Sequence, residues 1–462
     1  MSVSPGRAAA YEALCRVERD AAFATDALDA RLDSLEKRAD AALATELTMG
    51  VLRWQGLLDF LVSRYTKRAA ASLDLEVLVA LRLGLYQLRF LSRVPAAAAV
   101  NESVELVKRA RKRSAAGLAN AVLRRAAKDA RTRGPAEALL PPDSPLAERL
   151  GIALSHPTWL VERWLARFGE PATRALLEAN NRPARMTAAI LVPESETEIC
   201  AGLTKAGFDW APGRWLTGAI ELRKMPRGGM AQLRKALDAG GIILQDEASQ
   251  MIPMLAGVGP GQRALDLCAA PGGKAARLAQ QAGRGMVIAA DLHPHRVRQM
   301  RELLKRAGVT NAHPVALDGT RPLPFAAPFD RVLVDAPCSG TGTLARNPEI
   351  RWRLNKDQLP ALAEKQKALL RQGLGQLARG GRLVYSTCSL EPEENEQVLE
   401  EIAKYRGACV VSAEPDLRRH LRVGAESEGF FDAAGIFRSL PGRDGTDGFF
   451  AAAVELGPPG AR

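Results

Sequence analysis

Hydrophobic residues recur at helix spacing through the first part of the chain. Between residues 5 and 130 apolar side chains return every three or four positions, as at Leu78, Leu81 and Leu85, while Gly and Pro are sparse. This periodicity predicts an all-α bundle. The helical pattern ends in a proline-containing stretch over residues 133–145, which predicts a linker to a second domain.

From Gly240 onward, short apolar segments alternate with helical patterns. The segments that predict strands are Ala264–Leu267, Gly285–Asp291, Ala312–Asp318, Arg331–Asp335 and Gly381–Tyr385. Alternating strands and helices predict a doubly wound, mainly parallel α/β sheet that binds its ligand at the carboxyl ends of the strands. We therefore expect an all-α domain over residues 1–140, a connecting helical and small α/β segment over 141–240, and the doubly wound domain over 241–462.

The charge of the chain favours a polyanionic partner. It has 462 residues, with 64 Lys+Arg against 52 Asp+Glu and a net charge of +12. Such a balance suits nucleic acid better than an acidic small molecule, although an ordinary basic enzyme is also compatible with it. A basic cluster lies within the predicted bundle, comprising Lys108–Arg113 with Arg124, Arg125 and Lys128. Most such clusters are solvated helix faces, but a cluster of one sign also fits phosphate contacts.

The cysteines exclude some classes of site. Cys15, Cys200, Cys268, Cys338, Cys388 and Cys409 form no CxxC pair, and no His lies nearby at ligand spacing, so we expect no metal site. The first residues lack an apolar signal region, and no run of eighteen apolar residues occurs. We expect a cytoplasmic protein that does not associate with a membrane and whose free thiols are available for chemistry.

A glycine-containing loop predicts a nucleotide-like ligand. Leu265-Asp-Leu-Cys-Ala-Ala-Pro-Gly-Gly-Lys274 follows one predicted strand and opens a helix, but it matches neither the Walker nor the GxGxxG spacing. The next strand ends in Asp291, which can accept from ribose hydroxyls, and the third ends in Asp318, which can accept from an adenine amino group. Together they suit an adenosine cofactor without a pyrophosphate cradle. The alternative is that both acids are helix N-caps.

Two cysteines follow predicted strands and suggest covalent chemistry. Asp335-Ala-Pro-Cys338 stands where amine methyltransferases carry Asn/Asp-Pro-Pro-aromatic, and Tyr385-Ser-Thr-Cys-Ser389 places Cys388 at the end of another apolar strand. If the donor is S-adenosylmethionine, addition of a thiolate to carbon 6 of a pyrimidine makes carbon 5 able to attack the methyl group. One thiol can attack while the other assists release, but the spacing does not say which.

At these motifs the chain resembles the RNA cytosine-carbon-5 methyltransferases of the Sun (RsmB) type, whose bacterial members modify small-subunit ribosomal RNA. The resemblance covers nearly the whole chain. In the second half it runs through Gln245–Gln250, Cys268–Lys274, Asp335–Gly342, Arg346–Trp352, Ser386–Ser389, Glu394–Glu396 and Asp447–Phe450. In the first half, Ala99–Lys108 and Gly117–Arg125 resemble a helical, RNA-binding module of the NusB type, and Ser155–Leu160 resembles the joining segment, where we interpret His156 as structural.

The resemblance implies a role for each candidate residue. Cys388 would be the nucleophile, Cys338 the thiol that helps to resolve the adduct, and Asp335 the acid that holds the polar edge of the cytosine. S-adenosylmethionine would be bound by Cys268, Ala269, Ala270, Pro271, Gly272, Gly273 and Lys274 with Asp291, Asp318 and Asp335. The fold would be a Rossmann-like methyltransferase domain preceded by a NusB-like bundle and a small RNA-binding segment. The partner would be RNA, either 16S ribosomal RNA or a small-subunit assembly intermediate, and we expect a monomer.

Two departures and three alternatives accompany this interpretation. Ala275 stands where many relatives have Thr, and Leu344-Ala-Arg346 stands where many have a double Arg. The alternatives are a non-catalytic ribosome-assembly factor, a methyltransferase acting on transfer RNA, and a thiol oxidoreductase.

The acids Glu391, Glu393 and Glu394 would oppose ionisation of Cys388 if they lay close to it. Activation must then come from Lys274, from strand-end dipoles or from the positively charged donor.

Overall fold

The structure is a computed structural model, and it describes residues 3–457 except 130, 131, 133, 142, 192–194, 227, 228 and 406. Arg133 and Pro142 of the predicted linker therefore lie outside the described residues. The chain forms two compact units, Met1–Pro183 with Leu344–Leu354, and Ala184–Thr343 with Asn355–Arg462. The domain boundaries predicted near residues 140 and 240 stay predictions, since the chain divides into two compact units and not into three domains.

The described residues begin with a run of helices, and from β1 onward strands and helices are interspersed. In chain order the helices are α1 (Pro5–Asp20), α2 (Ala24–Leu32), α3 (Arg38–Arg53), α4 (Gln55–Thr66), α5 (Leu75–Phe90), α6 (Ala96–Arg109), α7 (Ala116–Lys128), α8 (Leu146–Ala153), α9 (Thr158–Asn180), α10 (Glu196–Lys205), α11 (Gly229–Asp238), α12 (Glu247–Met254), α13 (Gly273–Ala282), α14 (Pro294–Arg306), α15 (Ile350–Arg353), α16 (Leu359–Gly375), α17 (Glu396–Leu399) and α18 (Glu414–Arg418). The strands are β1 (Thr187–Ile190), β2 (Asp209–Pro212), β3 (Ala219–Lys224), β4 (Ile242–Leu244), β5 (Arg263–Asp266), β6 (Met286–Asp291), β7 (Ala312–Ala316), β8 (Phe329–Asp335), β9 (Leu377–Thr387), β10 (Ala408–Val411), β11 (Phe437–Ser439) and β12 (Phe449–Leu456).

The first unit is helical, as predicted, and α5 is its central helix. Every residue from Val77 to Leu88 is buried, so α5 is covered on all sides, as its nearly continuous apolar sequence requires. Its one buried cation, Arg82, is satisfied by the carboxylates of Asp59 and Glu18 at 2.7 and 2.8 Å. The helices α6 and α7 are amphipathic and bury one face each against this core.

The second unit contains two sheets. The smaller is antiparallel with strand order β2-β3-β1-β4. The larger has the order β10-β12-β9-β8-β5-β6-β7, with β5 to β9 parallel and β12 antiparallel. Alternate residues of the central strands point to opposite faces: one face packs with α12, α13 and α14, the other with α16. The predicted doubly wound, mainly parallel sheet is confirmed.

The segment Leu344–Leu354 leaves the second unit and is buried in the first. Arg351 is 0% exposed, and its guanidinium donates to Ser155 O at 3.0 Å, Asn180 O at 3.1 Å and Asn181 Oδ1 at 2.8 Å. Burial, followed by repulsion from Arg53, lowers the pKa of Arg351 to about 9. His156 is buried beside it, with Nδ1 at 2.7 Å from Leu154 O. We call Leu344–Leu354 the embedded segment.

Replacing Arg351 should destabilise the first unit. The change Arg351→Ala would leave the carbonyl groups of Ser155 and Asn180 buried without a donor, at a cost of about 3 kcal/mol. Native-state hydrogen exchange of the amides in α8 and α9 would measure this free energy. The matched control is Arg68→Ala, which removes an exposed arginine of the same unit. Equal exchange rates in the two variants would contradict the role of Arg351.

Candidate active site

Parallel pairing of β8 with β9 brings the two candidate cysteines together. Asp335 lies opposite Ser386 in the register, and Ala336 N donates to Ser386 O at 2.9 Å. The chain then turns out of each strand, so that Cys338 and Cys388 occupy adjacent loops with 3.3 Å between their sulfur atoms. Both side chains are half-buried. Two thiols separated by fifty residues of sequence therefore form one pair.

The two thiols differ in their surroundings. The hydrogen bond with Cys388, followed by burial and by the negative charges of Cys388 and Glu394, raises the pKa of Cys338 well above its ordinary value. Cys338 therefore keeps its proton, and its S–H group can donate to the sulfur of Cys388. Glu391, Glu393 and Glu394 were expected to oppose ionisation of Cys388 if they lay close to it. Of these, Glu394 contributes to the raised pKa of Cys338.

Asp335 is held on both of its carboxylate oxygens. Lys274 Nζ lies 2.7 Å from Oδ2, and the hydroxyl of Ser386 donates to Oδ1 at 2.7 Å. Burial lowers the pKa of Lys274, but the carboxylate of Asp335 outweighs it, and the net shift is upward. Lys274 therefore stays a cation within electrostatic reach of Cys388. The sequence suggested Lys274 as an activating group, but its ion pair with Asp335 was not foreseen.

The glycine-containing loop turns between β5 and α13 as predicted. Gly272 has φ +114°, a conformation that side chains rarely adopt, and a Cβ there would lie 3.0 Å from Met300 Cγ. A Cβ on Gly273 would lie 2.7 Å from Ile243 Cδ1. The loop therefore needs glycine at both positions to make its turn into α13. The Ala270–Pro271 peptide bond is cis.

Asp291 and Asp318 lie at the ends of the next two strands. Asp291 Oδ1 accepts from His293 N at 3.0 Å, and its Oδ2 lies 3.3 Å from Arg296 Nη1. Asp318, two residues beyond the end of β7, accepts from Thr320 N at 3.0 Å. The N-cap alternative is wrong for both acids, since the N-cap of α14 is His293 and no helix of the described residues directly follows Asp318. Each acid makes a local turn contact instead, and each lines the cavity described next.

Candidate residues from several loops line one cavity of about 260 Å³. From the predicted set it is lined by Cys268, Ala270, Asp291, Asp318, Asp335, Cys338 and Cys388. The predicted residues that do not line it are Ala269, Pro271, Gly272, Gly273 and Lys274. Lys274 contacts the lining residue Asp335. The sequence missed His293, Arg296 and Lys365, which also line it. Of these, Arg296 forms an ion pair with Asp291 and donates to Ala270 O at 3.0 Å. This contact is seen only in the fold, where α14 brings Arg296 back to the loop.

Three family models match successive parts of the chain. Residues 4–128 match the NusB family, residues 156–227 match the ferredoxin-like domain of RsmF/B-like methyltransferases, and residues 254–455 match the 16S rRNA methyltransferase RsmB/F model. Among curated relatives, Ribosomal RNA small subunit methyltransferase B of Pseudomonas putida is 35% identical, with 85% of this chain and 87% of the relative covered. The Bacillus subtilis protein named Probable ribosomal RNA small subunit methyltransferase B is 30% identical and covers 96% and 97%.

The chain belongs to the ribosomal RNA small subunit methyltransferase B family. Among solved structures, PH0851 is 24% identical, covers 98% of this chain and 99% of its own, and has a TM-score of 0.80. A methyltransferase homologue from Pyrococcus horikoshii is 28% identical over 67% and 99%, with a TM-score of 0.55. The resemblance to RsmB-type methyltransferases is thus confirmed, together with the NusB-like helical unit and the Rossmann-like sheet.

As a member of this methyltransferase family, the chain uses S-adenosylmethionine. The cavity residues fit such a donor, because Asp291 and Asp318 offer carboxylates to hydroxyl and amino groups. Leu292, beside Asp291, is 45% exposed and offers an apolar surface to an adenine ring.

In the part of the chain that the structure describes, no helix has the length and apolar character of a membrane span.

One buried acid of this site should make folding depend on pH. Burial, followed by repulsion from Asp335, raises the pKa of Asp266 from 3.8 to about 7. An unfolded chain releases this proton near pH 4, whereas the folded chain holds it until about pH 7, so stability falls as pH rises between those values. At about 1.36 kcal/mol per unit, the loss is about 4 kcal/mol.

The change Asp266→Asn should remove this loss. Hydrogen exchange of the β5 and β8 amides at pH 5 and pH 8 would give the free energies, and the variant should be favoured over the wild type at the higher pH. Asp209→Asn, at an exposed acid of the same unit, is the control and should leave the pH dependence unchanged. A wild-type profile that is flat over this range would contradict the assignment.

Proposed function

We propose that the chain methylates carbon 5 of a cytosine in RNA, with ribosomal RNA of the small subunit as its substrate. The observation that carries this proposal is the pair Cys338 and Cys388, 3.3 Å apart and beside an acid tied to the donor loop. The names of the relatives supply the substrate class. We further propose that the protein acts as a monomer in the cytoplasm.

Cys388 starts the reaction as the nucleophile. Its thiolate adds to carbon 6 of the cytosine, forming a carbon–sulfur bond and an electron-rich carbon 5. S-adenosylmethionine, bound by Cys268–Lys274 with Asp291, Asp318 and Asp335, supplies the methyl group. Lys274 contributes a fixed positive charge near Cys388, which supports this choice of nucleophile.

Release of the product requires two bond changes. A base takes the proton from carbon 5, the double bond between carbons 5 and 6 re-forms, and the carbon–sulfur bond breaks with its electron pair returning to Cys388. Cys338, which keeps its proton, is placed to donate to that sulfur as it leaves. Asp335 lines the same cavity, and its carboxylate can accept from the amino group of cytosine. The target base must be unpaired or flipped to reach this position.

Single cysteine variants should separate attack from release. With S-adenosylmethionine and small-subunit ribosomal RNA, Cys338→Ala should accumulate a protein–RNA adduct on a denaturing gel, because attack continues while release is slow. Cys388→Ala should form no adduct. The reaction is run with dithiothreitol, which methyl transfer should survive and a thiol oxidoreductase cycle should not.

The exposed thiol Cys409 supplies the control for these variants. Cys409→Ala should methylate like the wild type and form no adduct. An adduct seen only in Cys388→Ala would reverse the two roles, and a wild type that binds RNA without methylating it would favour the assembly-factor alternative. Activity on transfer RNA alone would move the substrate to the other RNA class.

The basic cluster is proposed as a phosphate-contacting surface of the first unit. Arg109, Arg111 and Arg113 lie at the end of α6 and in the turn after it, and all three side chains are exposed. Two neighbouring lysines are already paired, Lys108 with Glu105 at 2.6 Å and Lys112 with Asp74 at 2.9 Å. The exposed arginines are therefore the ones to change.

Removing these arginines should lower the salt dependence of RNA binding. Each phosphate contact contributes about 0.7 to 0.9 to the slope of log affinity against log salt, so the triple Arg→Ala variant should lose about 2 from the slope. Filter binding at several salt concentrations measures it. The double change Lys37→Ala with Arg68→Ala, at exposed cations outside the cluster, is the control. An unchanged slope in the triple variant would mean that the cluster is only a solvated face.

A further inference from the structure

A single buried carboxylate joins the two cysteine-bearing loops. Glu394 is 0% exposed and lies in the turn before α17, away from both strands that carry the cysteines. Its Oε1 accepts from Ser339 N at 2.8 Å, and its Oε2 accepts from the hydroxyls of Ser339 and Ser389. Ser339 directly follows Cys338, and Ser389 directly follows Cys388. One side chain is thus bonded to the residue next to each thiol.

The carboxylate is itself fixed from two other sides. Gln366 Nε2, on α16, donates to Glu394 Oε1 at 2.9 Å and to Pro337 O at 3.0 Å. The hydroxyl of Tyr385 donates to the backbone carbonyl of Glu394 at 2.5 Å. A buried carboxylate that accepts this many hydrogen bonds is a rigid anchor, because each bond to a charged acceptor is stronger than a neutral one.

The neighbouring residue completes the arrangement on one loop. Asn395 Nδ2 donates to Ser389 O at 2.9 Å, and Thr387 Oγ1 donates to Asn395 Oδ1 at 2.5 Å. A separate bond closes the loops from the opposite side, since Gly342 N donates to Cys388 O at 2.9 Å. Of these contacts, those of Glu394 are the ones that reach both cysteine loops through a single side chain.

We propose that Glu394 is a positioning residue that holds Cys338 and Cys388 at reacting distance. It touches neither the cavity nor the donor loop, and it acts through Ser339 and Ser389. The proposal deepens the proposed function and rests on it, because the distance between the sulfurs matters for catalysis only if both thiols take part. A misplacement of about 1 Å can lower a rate by about 100-fold.

The substitution Glu394→Gln keeps the shape of the side chain but turns one acceptor into a donor. The hydroxyls of Ser339 and Ser389 could then no longer share a charged oxygen. Ser389→Ala removes one arm only and is a smaller change that protects the test if the glutamine variant folds poorly. The control is Glu400→Gln, which makes the same charge change at an exposed glutamate six residues further along.

Disulfide formation measures the thiol separation without any methylation. Diamide removes two electrons and two protons from the two thiols, which become an S–S bond while diamide becomes the hydrazine. Mass spectrometry of the linked Cys338 and Cys388 peptides gives the rate. We expect the rate to fall at least about tenfold in Glu394→Gln and by a smaller factor in Ser389→Ala, because the effective concentration of the thiols drops. Glu400→Gln should match the wild type.

Methyl transfer in a single turnover provides the second readout. Its rate should fall with the cross-linking rate, while the dissociation constant for S-adenosylmethionine stays within about twofold, since Glu394 makes no contact with the donor loop. A general loss of structure would weaken both. Cross-linking in Glu394→Gln at the wild-type rate overturns the proposal, whatever happens to methylation. Slowed cross-linking combined with no RNA trapped by either Cys338→Ala or Cys388→Ala would instead support the positioning role and overturn the covalent mechanism.

Discussion

The parallel register of β8 and β9 is the constraint on which the active site depends. With Asp335 opposite Ser386, the strands end level, and the next two or three residues of each must occupy neighbouring loops. A slip of one residue would turn Asp335 away from Lys274 and separate the sulfur atoms. The same register gives Asp335 the hydroxyl of Ser386 as a partner, so the strand pair fixes both the acid and the thiols.

Cys338 and Cys388 are chemically identical side chains with different charged neighbours. Lys274 is kept cationic by Asp335, and it lies within electrostatic reach of Cys388. The pKa of Cys338 is raised first by its hydrogen bond with Cys388 and by burial, and the negative charge of Glu394 adds to this. A positive group near one thiol and a negative group near the other make the pair asymmetric. Neither effect requires a histidine, which is the usual partner of a reactive cysteine.

The sequence predicts what depends on strand ends and local loop chemistry. Asp291, Asp335 and the loop before α13 follow apolar segments that alternate with helices, and the rules for parallel sheets then bring them to one edge. Contacts between distant segments were beyond its reach. Glu394 meets Ser339 across 55 positions, and Arg351 meets Ser155 across 196, and no periodicity marks either pair. In the sequence Glu394 looked like one of three acids that hinder a thiol, whereas in the fold it is a bonded anchor.

The embedded segment limits how the helical half and the methyltransferase half of the chain can be separated in evolution. Cys338 and the chain up to Thr343 belong to the second unit, and the residues that immediately follow are buried in the first. Gene fusion or domain loss can exchange a module freely only when the cut crosses a linker. Here a chain that lost its helical half would expose Arg351 and Trp352 a few residues from Cys338. Removing that half would therefore require changes in the embedded segment as well.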